Sequence, residues 1–297
     1  MDDFVLPDGI AERARDVLAG RVPPVPARDA ATVAVLRERP GVPGSMQVYL
    51  LRRRAGMAFA AGAHVFPGGS VDPRDAEHEI AWAGPSPAAW ARVLRSDERT
   101  ARGLVCAAVR ETFEESGVLL AGPRPDAVAE DTRDLEEDRL ALIDRSLSFA
   151  EFLDRHGLVL RTDLLRAWAH WITPRVESRR YDTRFFVAAL PPGQRTRDVG
   201  GEADQVAWLR PDEALRAAER GEIRLMPPTR RTLGELAGYA CVRDVLAAER
   251  TIVTVMPEVV PTEDGRFRLV IPDPVGTGGA DGAGGAGGTD GAGEGRA

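Results

Sequence analysis

Arg110-Glu111-Thr112-Phe113-Glu114-Glu115-Ser116-Gly117-Val118 ends the most strongly patterned segment of the chain. From Glu98 to Ser116 the sequence reads as an amphipathic helix. Ser96 or Asp97 stands ready to cap its start, and Gly117 occupies the position where a left-handed C-cap is expected. Leu104, Val105, Ala108, Val109, Thr112 and Phe113 recur at i, i+3, i+4 spacing and form one apolar arc. At about 100° per residue, Glu111, Glu114 and Glu115 fall together on the other side. Three carboxylates so close repel one another unless a cation neutralises them, and hard divalent ions take oxygen ligands. By itself the pattern also describes an ordinary solvated acidic face.

Outward from this helix, strands and helices interleave. Strand-like runs occupy 31–37, 47–53, 63–66, 165–173, 184–190, 205–209, 252–256 and 266–271. Helices are expected over 9–19 after Asp8, over 76–95, 134–156 and 211–220, and over 229–250 with an interruption near Gly238. Pro67-Gly68-Gly69 reads as a turn in which the chain needs φ > 0. The alternation predicts an α/β or α+β domain rather than a bundle. Residues 1–29 form an N-terminal helix and linker, 30–275 the main domain, and 276–297, with 11 Gly in 22 residues, a disordered tail.

Composition removes several chemistries. All 39 basic residues are Arg, so no lysine is present for a Schiff base or a P-loop. The net charge of −7 and pI near 5.3 argue against general nucleic-acid binding. Cys106 and Cys241 do not make a disulfide framework, and no apolar run approaches the ~18 residues of a membrane span. A cytoplasmic protein without membrane or nucleic-acid partners is the expectation. His64, His78, His156 and His170 lack metal-ligand spacing.

The quoted stretch resembles the second half of the Nudix box, G-x5-E-x7-R-E-U-x-E-E-x-G-U with U a bulky aliphatic residue. Arg, three Glu and Gly match in register, with Thr112 at an aliphatic position. The first half resembles His64-Val65-Phe66-Pro67-Gly68-Gly69-Ser70-Val71-Asp72, with Gly69 as the box glycine and Asp75 where the family has Glu. Asp75 and Arg110 stand 35 positions apart, against 8 in the compact pattern, which is an insertion of 27. Split boxes of this kind occur in the subgroup typified by peroxisomal coenzyme A diphosphatases. Trp168–Pro174 and Arg180–Phe186 resemble that subgroup too, and the likeness spans roughly 30–250.

The resemblance implies a Nudix α/β/α sandwich with a mixed sheet and a helical insertion inside the box. It implies hydrolysis of a nucleotide diphosphate with Mg²⁺ or Mn²⁺. Glu111 and Glu115 would be the primary metal ligands, Glu114 a third ligand or water-orienting group, and the Gly69 carbonyl an extra ligand. Arg110 would hold the carboxylates. Glu202 is the expected base, with Glu177 as rival. Arg53, Arg184 and Phe66 would contact the substrate. Coenzyme A or acyl-coenzyme A leads among substrates, with ADP-ribose or a dinucleotide such as NADH or FAD behind. A non-catalytic nucleotide-binding module is the third reading. Arg53 and Gly62 fit a longer coenzyme A signature in which Ala58 and Ala63 replace an Arg and a Glu. Many relatives are dimers, so a homodimer is expected, and the insertion at 76–97 and the 123–165 segment are expected to form lids or dimer contacts.

Overall fold

The computed structural model describes all residues except 1–3, 6–7, 40, 43–44, 55, 57–59, 78, 198–202, 265 and 273–297. The Gly-rich tail and Glu202 therefore lie outside the described residues.

The Val- and Ala-rich run at 28–38 is the backbone of the fold. It pairs in parallel with Tyr181–Ala189, from Tyr181 opposite Arg28 to Ala189 opposite Leu36. Its far end pairs antiparallel with Met46–Arg53 and its near end with Gly68–Ser70. Arg166–Ile172 lies antiparallel to Tyr181–Ala189, and Ala203–Leu209 antiparallel to Met46–Arg53. Ala63–Val65, Arg224–Leu225 and Thr254–Val255 complete a mixed nine-stranded sheet.

Side-chain alternation divides this sheet between two cores. Ala31, Val33, Val35, Tyr49, Leu51 and Phe186 pack with Leu104, Val105, Ala108, Val109 and Phe113 of the Glu98–Ser116 helix. Ala34, Leu36, Val48, Leu50, Phe185 and Val187 pack on the other side with Ala214, Leu233, Leu236 and Val245. Those residues come from the helices Pro211–Glu219, Pro227–Leu236 and Val242–Ala247. The result is the expected α/β/α sandwich. The Asp8–Leu18 helix packs Ala11 and Ala14 on Val176, Val259 and Phe267, beside a hairpin of Glu258–Pro261 and Phe267–Val270.

Two long helices expected from sequence are broken. Residues 76–95 contain the end of a short helix, Pro73–Glu77, then a strand, Trp82–Ala83, and a second helix, Pro87–Leu94, restarted by Ser86, whose hydroxyl accepts from Ala89 N. Residues 134–156 divide into Glu136–Ile143 and Phe149–Arg155. Arg145 takes φ = 64° between them, and Ser148 and Glu151 form a capping box that starts the second helix. Turn formers and caps outweighed periodicity in both cases.

These segments are part of the core. Trp90, Ala91, Leu94, Phe149, Phe152 and Leu153 join the same cluster as the Glu98–Ser116 helix. Trp82–Ala83 and Ala121–Gly122 both pair with Val159–Arg161, which stitches the insertion to the later segment. Among the described residues no helix is long and apolar enough to cross a membrane.

Phe152 lies with its ring centroid 5.2 Å from Phe113 and 5.9 Å from Phe149. Phe152→Ala is expected to cost about 3–5 kcal/mol in urea denaturation, the range for a core aromatic. A loss within about 0.5 kcal/mol, typical of a surface position, would mean that the segment is a detachable lid.

Candidate active site

The Glu98–Ser116 helix is fixed at both ends. The Asp97 carboxylate accepts from Thr100 N at 2.9 Å, and Gly117, at φ = 73°, donates its N–H to Phe113 O at 2.8 Å. Thr112, where the family has an aliphatic residue, is fully buried and satisfied by donating to Ala108 O at 2.7 Å. With the apolar arc against the sheet, the face bearing Gly103, Arg110, Glu111, Glu114 and Glu115 lines a cleft of about 1480 Å³.

Across the cleft floor runs Phe66-Pro67-Gly68-Gly69-Ser70. The Thr32 hydroxyl donates to Pro67 O at 2.6 Å, and Val33 N to the same oxygen at 2.9 Å. Gly68 N donates to Glu115 Oε2 at 2.8 Å. Neither Gly68 nor Gly69 has positive φ, contrary to the expectation for this turn. What they supply is smallness. A Cβ on Gly68 would stand 2.5 Å from Ala31 O and from Thr32 Cβ, and one on Gly69 would stand 2.4–2.6 Å from the Glu111 carboxylate.

Arg110 joins the two halves of the split box. Its Nε donates to Asp75 Oδ1 at 3.1 Å, and its Nη2 to Asp75 Oδ2 at 3.0 Å and Ser70 O at 2.9 Å. Nη1 donates to Glu111 Oε1 at 2.8 Å and Glu114 Oε1 at 3.0 Å. The Asp75 side chain is 1% exposed, so the residue that replaces the family's Glu is a buried counter-ion of Arg110. The 27-residue insertion leaves this contact intact, with Trp90, Ala91 and Leu94 packed into the core beside the helix.

One guanidinium serves three carboxylates, and Glu115 adds a fourth to the same cleft. Burial pushes the Glu111 acid up to about 7 against the pull of Arg110, with Glu114 adding to the rise. Burial raises Glu114 and Asp75 as well. Clustered carboxylate oxygens beside a glycine that leaves room for them fit a hard divalent cation. As arranged, Glu111 and Glu114 accept from Arg110 and Glu115 from Gly68, and among the described residues no three such side chains form a ready ligand set. Glu111, Glu114, Glu115 and the Gly69 backbone would hold the ion.

Of the expected substrate contacts, Arg53 lines the cleft and Phe66, 2% exposed, forms part of its floor. Arg184 does not. It is 5% exposed on the opposite face of its strand, where it pairs with Asp182 and donates Nε to Leu94 O. His170 completes that cluster, 2.6 Å from both Arg184 Nη1 and Asp182 Oδ1. Strand alternation explains the difference, since Tyr181, Thr183 and Phe185 are the ones that line the cleft. Glu177 also lines it, with its acid raised by burial. Arg74, Arg99 and Arg145 are further cations on the walls. Among 39 arginines, sequence offered no signal to single them out.

The two glycines predict opposite phenotypes. Gly68→Ala forces a methyl against backbone and should cost about 1–3 kcal/mol of stability. Gly69→Ala displaces a side-chain carboxylate rather than backbone, so it should cost less stability than Gly68→Ala while metal affinity falls about 10–100-fold. Denaturation and metal titration of the pair check this. Equal destabilisation with unchanged metal affinity would contradict it.

Comparison with known proteins agrees with this geometry. The NUDT19 Nudix domain model matches residues 99–236. Acyl-coenzyme A diphosphatase NUDT19 of Gallus gallus is 28% identical over 297 aligned residues, covering 82% of this chain and 78% of that protein. The Homo sapiens protein of the same name is 27% identical, covering 78% and 72%. A crystal structure of a Nudix hydrolase from Alicyclobacillus acidocaldarius superposes with a TM-score of 0.66 at 25% identity, over 76% of this chain and 98% of that one. The reassembled box, the sandwich and these relatives lead to one conclusion: residues 99–236 match a Nudix domain, and the chain has the fold and the make-up of a Nudix hydrolase.

Proposed function

We propose that this enzyme hydrolyses the diphosphate linkage of coenzyme A or an acyl-coenzyme A. The observation that carries the proposal is the carboxylate face opening on a cleft that is both cationic and apolar. Arg53, Arg74 and Arg145 suit phosphates, and Trp171, Phe185, Met226 and Leu269 offer apolar wall. At about 1480 Å³ the cleft exceeds the ~300–1,000 Å³ of common small-ligand sites, which suits a nucleotide with a long arm. The names of the chicken and human relatives support the same substrate class.

Mg²⁺ or Mn²⁺, when bound by Glu111, Glu115, Glu114 and the Gly69 carbonyl, offsets diphosphate charge and polarises phosphoryl oxygens. Arg110 opposes the rise that burial imposes on the carboxylic acids and keeps them aimed, and Arg53 holds the diphosphate. A water oxygen bonds to one phosphorus, the bridging P–O bond breaks, and the water's proton passes to a carboxylate. Glu114 and Glu177 border the cleft and are suited to take it; Glu202 is the third candidate. Free thiols at Cys106 and Cys241 suit a reducing compartment, which supports cytoplasmic residence.

A second reading, ADP-ribose or a dinucleotide as substrate, draws on one observation. Ala63, standing where the coenzyme A signature has Glu, is fully buried and brings no polar group to the cleft. The intact Arg110 network argues against a silent module.

Incubation with Mg²⁺ or Mn²⁺ and a panel of coenzyme A, acyl-coenzyme A, ADP-ribose, NADH and FAD, read by mass, separates these readings. Release of 3′,5′-ADP and phosphopantetheine is expected. Glu115→Gln should lower kcat at least about 10²-fold, since metal stabilisation is worth several kcal/mol. Preferential cleavage of ADP-ribose would move the assignment to the second reading. No turnover by the wild type of any member would overturn the enzyme's proposed role.

A further inference from the structure

The carboxylates of Glu114 and Glu115 sit in the last turn of their helix, where carbonyls have no intrahelical donors and ends fray. Here that turn is tied down from outside. Arg139 Nη1 donates to Glu114 O at 2.6 Å. Arg197 N–H donates to Ser116 O at 2.9 Å, and the Thr132 hydroxyl to Gly117 O at 2.7 Å. Arg139 is among the largest fully buried side chains of the molecule, and its side chain is 1% exposed. Its Nε donates to Glu136 Oε2 at 3.0 Å, and Arg197 Nη1 lies 3.0 Å from the same oxygen. Two guanidinium cations thus stand at the negative end of the helix dipole, coupled through Glu136.

An arginine is an expensive way to fill a buried position, because its charge must be desolvated. A methionine would pack the same space. What the guanidinium adds is a rigid planar fork that fixes Glu136 on one side and the Glu114 carbonyl on the other. We propose that Arg139 is a positioning residue of the hydrolytic site. It fixes the last helical turn so that Glu114 and Glu115 present their carboxylates to the cation, and this is a task of the 123–165 segment in the enzyme. The inference rests on the reading of this face as the metal site.

Binding of Mn²⁺, followed by the electron paramagnetic resonance of the free ion, tests it without any substrate. In Arg139→Met the affinity should fall about 10–100-fold, as for other residues that orient metal ligands. Thermal denaturation should remain cooperative, and kcat should fall with KM for the substrate nearly unchanged. Arg139→Lys keeps the cation but not the fork, so it should show the same pattern to a smaller degree, and it serves if the methionine variant fails to fold. Unchanged Mn²⁺ affinity in every folded variant would overturn the proposal. A wild-type protein that binds no Mn²⁺ would overturn the metal reading beneath it.

Discussion

The active face depends on one guanidinium. Arg110 contacts Asp75, Ser70 O, Glu111 and Glu114 at once, and its side chain is 11% exposed. Water cannot replace such contacts cheaply in a buried setting, and removing one partner of a buried pair typically costs about 3–5 kcal/mol. Through Asp75 it holds the helix that follows the Gly68–Gly69 floor. Through Glu111 and Glu114 it orients two carboxylates toward the cleft. The same contact closes the 27-residue gap between the halves of the box, so continuity in space replaces continuity in sequence.

The insertion and the 123–165 segment are tolerated because they supply core. Trp90 and Leu94 cover the sheet beside the helix, and Phe149 and Phe152 cover the helix itself. The segment also sends Arg139 and Thr132 to the helix end. A lid would be free to move away from the chemistry; this material is packed against it.

Much of this was legible beforehand. The helix Glu98–Ser116 is readable to its bounds, because apolar periodicity, Asp97 and Gly117 agree. Arg110, the three glutamates and Gly69 came from spacing and resemblance, and the structure gathers them on one cleft. What failed has physical causes. The motif around Arg184 predicts a substrate contact, yet the two-residue period of its strand turns it away from the cleft. A Pro-Gly-Gly turn predicts a φ requirement, whereas the constraint is contact with Ala31, Thr32 and Glu111. Arg139 and Asp75 act through partners far away in sequence, and no local pattern announces such a partner.

The charge count also changes meaning. Asp75, Glu111 and Glu114 share one hydrogen-bonded arginine, with Glu115 on the same cleft, so part of the chain's acidic charge is gathered where a cation can bind rather than spread over a repelling surface. A crystal grown with Mn²⁺ and measured at an anomalous wavelength tests this most directly. The expected result is a peak bounded by Glu111, Glu114, Glu115 and the Gly69 carbonyl, with Arg110 still paired to Asp75. A peak elsewhere in the cleft, with these carboxylates unmoved on Arg110 and Gly68, would contradict it.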